Sequence, residues 1–165
     1  MPISETVTLN GVTPVATVNS YIFINRMLCT TVGTSATNVG NITATAVTDA
    51  TISAQISAGE GQAQLGVYQV PLGKTMYFFG FNASARINGG GAGTAVFQLM
   101  TRTFGGAWTK RQTIMINLTG NSFVERMYKN PLVLTEKTMV KLQVTSDTNN
   151  MDVACAFDYM NITAN

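Results

Sequence analysis

Apolar and polar residues alternate with a period of two along nearly all of this chain, and no long segment sustains helical spacing. A period of two places successive side chains on opposite faces of a pleated strand, so the chain is constrained to fold as sheets. Ile42, Ala44 and Ala46 alternate with Thr43 and Thr45, and Ile52, Ala54 and Ile56 with Ser53 and Gln55. Abundant Thr suits this pattern, because a β-branched residue with a hydroxyl fits a pleated, half-wet surface.

Turn signals cut the pattern into short strands. Thr48-Asp49-Ala50 breaks the first pair, and Gln64–Val70 leads into Pro71-Leu72-Gly73, where Pro presets φ and Gly closes the turn. Lys74–Arg86 is the most aromatic stretch, followed by a glycine-rich loop over residues 88–93. Val96–Phe104 and Trp108–Leu118 flank Gly105-Gly106, a hairpin signal. Further strands are expected at Ser122–Tyr128, Thr138–Thr145 and Asp152–Ile162, with Val140, Leu142 and Val144 inward and Lys141 and Gln143 outward. Tyr21–Leu28 is apolar on both faces and reads as a strand covered on two sides. Many short strands between turns predict an all-β fold, an antiparallel β-sandwich or a barrel. Gly11 and Pro14 interrupt Thr6–Leu9 and Val15–Val18, so residues 1–20 read as an extended arm that docks on a neighbouring subunit. Residues 21–165 then form a single sandwich domain.

The chain has no histidine, and charged residues make up 11% of its 165 positions. General acid–base, nucleophilic and metal chemistry lean on His and clustered carboxylates, so this composition argues against an enzyme. Asp152 and Asp158 share a strand face but stand about 20 Å apart at ~3.3 Å per residue, too far for a glycosidase pair. Asp158, between Phe157 and Tyr159, is expected to be partly buried and paired with an Arg. Cys29 and Cys155 read as small buried hydrophobes, too few for a zinc site. No metal and no cofactor is expected.

A net charge of +2 is too small for nucleic acid to be the main partner. Lys110, Arg111, Arg126 and Lys129 read as a solvated, salt-bridged face. No stretch approaches the ~20 apolar residues of a membrane-spanning helix, so no membrane partner is expected. The N-terminal residues lack the basic and apolar regions of a secretory signal, which predicts synthesis in a cytoplasm. Gly73-Lys74-Thr75 imitates the end of a phosphate loop, but Tyr68 stands where its first Gly belongs and an aromatic strand follows. Gly59-Glu60-Gly61 lacks the third Gly of a dinucleotide motif.

Nine methionines are many for this length. Met100, Met115 and Met139 lie in expected strands. Met115 and Met139 alternate with inward residues, which makes them outward contact candidates for oligomerisation. Trp108, Tyr77 and Tyr128 are candidate stacking platforms for a glycan.

The turn and strand signatures Phe23–Met27, Asn38–Ile42, Ile56–Gln62, Ala63–Tyr77, the Phe97–Trp108 hairpin and Asp147–Asp158 together resemble β-rich virion structural proteins of tailed bacteriophages, especially of marine bacteria. The likeness covers most of residues 20–160. It implies a jelly-roll-like sandwich displayed on the particle as a homotrimer. A short chain without a fibrous segment then points to a capsid decoration or cement protein, located in the virion, whose partners are itself and the major capsid protein or other virion proteins. The alternative is a receptor- or glycan-binding knob of a fibre or tail. A depolymerase is a distant third.

Overall fold

The computed structural model describes residues 3–163, which hold nine strands and no helix. The chain divides into two compact units, Met1–Leu65 and Gly66–Asn165.

The second unit is an antiparallel β-sandwich. Its strands are β3 (Val67–Gln69), β4 (Lys74–Ile87), β5 (Gly93–Arg102), β6 (Thr109–Leu118), β7 (Asn121–Leu134), β8 (Met139–Ser146) and β9 (Met151–Thr163). One sheet has the order β3-β8-β5-β6, the other β7-β4-β9. The expected alternation decides which residues meet between them. Along β5, Ala95, Phe97, Leu99 and Thr101 are buried while their neighbours face outward. Val140 and Leu142 of β8 and Phe78 and Phe81 of β4 join them in the core. Each fully buried side chain of this size contributes roughly 1.5–3 kcal/mol. Toward the other end, Ala83, Ala85 and Ala95 pack with Phe97, Ile116 and Leu118 in a second buried cluster.

Two polar clasps tie the sheets at their flanks. The Tyr128 hydroxyl of β7 donates to Gln112 Oε1 of β6. On the other flank Asn161 Nδ2 of β9 donates to the Tyr68 hydroxyl of β3 at 2.7 Å. A chain of ring contacts runs between them, from Tyr68 through Tyr159, Phe157 and Phe78 to Tyr128, with centroids 4.6–5.9 Å apart.

β7 is longer than its alternation predicts, because a bulge lets it continue. Phe78 pairs with Leu132 and Gly80 with Met127, so residues 128–131 all stand opposite Phe79. Pro131 is tolerated there, on an edge strand within a bulge. Gly73 closes its turn at φ 72° and passes straight into β4, as a turn rather than a phosphate loop.

The first unit has little regular structure. β1 (Ile42–Thr45) and β2 (Ile52–Ile56) form a hairpin in which Ala54 and Ile56 are buried. Asn38 organises the loops around it. Its Nδ2 donates to the carbonyls of Gly40 and Ser57, at 2.9 and 2.8 Å, and its Oδ1 accepts from the Gly61 amide at 3.0 Å.

Two expectations for this region are corrected. Tyr21–Leu28 is not a strand: only Leu28 forms an isolated bridge, to Gln62, and Ile22 stays 83% exposed. An apolar run becomes a strand only where a ladder partner and cover exist, and this one has neither along most of its length. The sandwich also begins at β3 rather than at residue 21. Residues 3–20 belong to the first unit, where the Glu5 carboxylate accepts from the Val18 and Asn19 amides at 3.0 and 2.9 Å. Those bonds, the Asn19 one foremost, hold the Glu5 carboxyl below its ordinary range. Both cysteines are free thiols, and burial pushes that of Cys155 up.

Candidate functional site

A sheet with one face in water normally alternates apolar inside with polar outside. The outer face of β7-β4-β9 departs from that rule. Register places Tyr77 between Val133 and Met160, Gly80 between Met127 and Asp158, and Ser84 between Phe123 and Ala154. Ile162 lies beside Thr75 at the end of the same face. Phe123 is 65% exposed, and Met127, Val133 and Met160 are each at least half exposed. Glu125 and Asn82 stand between Phe123 and Met127 on this face, and Asp158 beside Gly80, so the apolar groups form two clusters separated by polar residues. Exposed large apolar groups gathered on one sheet face suit contact with another macromolecule. Sequence reading missed Phe123 and Met127 as contact residues. Their alternation with Val124 and Tyr128 carries the signal, once it is known which of those faces the core.

The outer face of β3-β8-β5-β6 differs. Met115 stands beside Val96 and is 64% exposed. Met100 lies between Lys110 of β6 and Lys141 of β8. Met139 corrects the expectation of an outward contact. Its register opposite Arg102 is as alternation requires, yet it is only 6% exposed, because Arg102 lies over it with Nη2 2.8 Å from the sulfur.

The three candidate platforms do not converge. Tyr77 is on the outer face of one sheet, Trp108 adjoins the outer face of the other, and Tyr128 points between the layers. Arg102 and Lys141 both sit over the Trp108 ring, at 5.0 and 4.5 Å from its centre, and Lys137 sits 5.6 Å from that of Phe104. A ring face carrying cations by cation–π attraction is not free to stack a sugar. Burial raises the Tyr128 phenol above its ordinary value.

The carboxylates are dispersed. Asp158 is exposed and forms no ion pair among the described residues, contrary to the expected burial beside an Arg. The basic residues likewise form no salt bridge to a described carboxylate. Asp152 instead accepts from Asn88 Nδ2 at 2.7 Å, and Glu136 from the Gly73 amide at 2.6 Å. No group of three His, Cys, Asp or Glu that could hold a metal occurs among the described residues. In the first unit, Gln55, Ser57, Glu60, Gln62, Gln64 and Leu65 line an open depression of about 350 Å³. Glu60 there is engaged by Gln64 at 2.6 Å.

Comparison with known proteins finds no matching family model, no matching curated protein and no matching solved structure. The functional reading therefore rests on the surfaces themselves.

Proposed function

We propose that this chain is a non-enzymatic structural subunit of a bacteriophage virion, a capsid decoration or cement protein that oligomerises, as a homotrimer, and binds the outside of the head. The observation that carries the reading is the apolar outer face of β7-β4-β9. An exposed Phe123 and three half-exposed neighbours on one sheet are stable in water only at a cost that burial against another subunit removes. The sequence adds the likeness to phage virion proteins and a composition poor in acid–base groups. In this reading the apolar face joins subunits, and the Thr- and Asn-rich remainder keeps the particle surface soluble without attracting DNA.

The test is in two parts. Light scattering on the full chain at low micromolar concentration should give a mass near three times 17.6 kDa, and Phe123→Asp with Met127→Asp should lower it to one chain. The intact protein should then bind expanded phage heads that lack it. A monomeric wild type, or heads left bare, overturns the reading.

A further inference from the structure

We propose that the free edge of β9 accepts residues Thr6–Leu9 of a second copy of this chain as an added strand. The inference rests on the self-assembly in the reading above, and adds to it a specific donor and acceptor.

The acceptor is defined by what the strand order lacks. In an eight-stranded jelly roll, the last strand lies beside the first in one sheet, and the second strand is an edge of the facing sheet. Removing the first strand leaves a four-stranded and a three-stranded sheet, with the last strand as an edge. That is the order found here, with β3 in the place of the second strand and β9 in the place of the last. β9 is a 13-residue edge strand, paired through its length to β4 and to no strand on its other side among the described residues. A long unpaired edge is a template for strand addition.

The core at that edge is incompletely covered. Val153 and Tyr159 share register rows with the core residues Ala85 and Phe78, so they lie on the inward face of β9. They nonetheless remain 38% and 39% exposed. On the same side the buried Oδ1 of Asn161 has no partner among the described residues.

The donor has the matching pattern. In Thr6-Val7-Thr8-Leu9 the apolar residues fall on one face and the hydroxyls on the other, with no charge and no proline. Leu9 is 54% exposed, and none of the four residues pairs with a strand among the described residues. Set beside β9, Val7 and Leu9 would cover the open core margin while Thr6 and Thr8 faced water. A second copy is the occupant favoured, because the edge adjoins the exposed Met160 and Ile162 of the apolar face. One neighbour seated along β9 covers both.

Hydrogen exchange on the full chain tests this, read over residues 151–163. Alternate amides of β9 point to the free edge. These should exchange on the order of tenfold more slowly, or better, when the protein is concentrated enough to assemble. The double variant Val7→Pro with Thr8→Pro removes an amide from each edge of the donor, so pairing fails in either register. It should lose that protection and fall to the mass of one chain, with its sandwich intact by circular dichroism. An assembled protein with unprotected edge amides overturns the proposal. So does an assembly that survives the double variant, as pairing of two β9 strands would. Protection independent of concentration overturns it as well, since the chain's own segment would then be the donor. Bare heads alongside concentration-dependent protection would sink the virion reading and leave this pairing standing.

Discussion

Asn161 Nδ2 on β9 donates to the Tyr68 hydroxyl on β3 at 2.7 Å, joining the edge strands of two different sheets. The Tyr68 ring also lies 4.6 Å from that of Tyr159, so one side chain bridges the two sheets by both polar and apolar contact. Tyr68→Phe keeps the ring and removes the hydroxyl, leaving the amide of a half-buried Asn161 without its acceptor. A loss of about 1–3 kcal/mol is expected, the usual cost of an unpaired buried polar group. Urea denaturation of variant and wild type at one protein concentration measures it.

Tyr159 makes the same flank sensitive to alkali. Burial, then the neighbouring Tyr68, pushes its phenol from 10.0 up to about 12. The unfolded chain therefore gives up this proton at lower pH than the folded chain does. The associated stability is fully present below about pH 10 and is lost as pH rises towards about 12. Tyr159→Phe should flatten the fall in stability across that window, measured as the slope of stability against pH from about 9 to about 12. A steep alkaline loss that persists in the variant would assign the effect elsewhere.

At Gly80, β7 lies close against β4. A Cβ at this position would sit 2.8 Å from the Met127 sulfur and 2.9 Å from its Cα, and closer still to the Arg126 carbonyl oxygen. Backbone on an edge strand must move to admit a methyl group. Gly80→Ala is therefore expected to cost about 1–3 kcal/mol by overpacking, and to loosen the pairing of residues 121–127 first. Gly120, with open space around its Cα, is the control: Gly120→Ala should be near neutral.

Much of the sandwich is legible in the chain because its strands obey alternation locally. Val140 and Leu142 are buried and Lys141 and Gln143 face out, as their spacing predicts, and Gly105 takes φ 74° in the turn expected of it. Tyr21–Leu28 fails because apolar alternation states a need for cover without saying that the same chain supplies it. Met139 fails for a different reason. Its face is right, but the guanidinium that hides it comes from 37 residues away, through a β5–β8 register that no local pattern encodes. Trp108 follows the same logic, since Lys141 reaches it only across paired strands. Alternation marks Met115, on the outer face of the β3-β8-β5-β6 sheet. The apolar residues of the other sheet are less legible, since Phe123 and Met127 require knowing which side of β7 meets the core.

In the first unit, Asn38 holds the loops together with three side-chain hydrogen bonds, two donated and one accepted. Its own carbonyl also accepts the Gly59 amide at 2.8 Å. Asn38→Asp preserves the shape and the bond from Gly61 but places a carboxylate against the carbonyls of Gly40 and Ser57. Two attractive contacts become repulsive, so a loss of about 1–3 kcal/mol is expected at neutral pH. Protonation of the new carboxyl restores one donor, so the defect should shrink as pH falls through its pKa. Exchange of the Gly59 and Gly61 amides reads this directly. Both should be faster in Asn38→Asp than in wild type at pH 7, with the gap narrowing in acid, while amides of the sandwich stay unchanged. Equal acceleration throughout the sandwich would mean that the two units unfold together, and would refute a local role for Asn38.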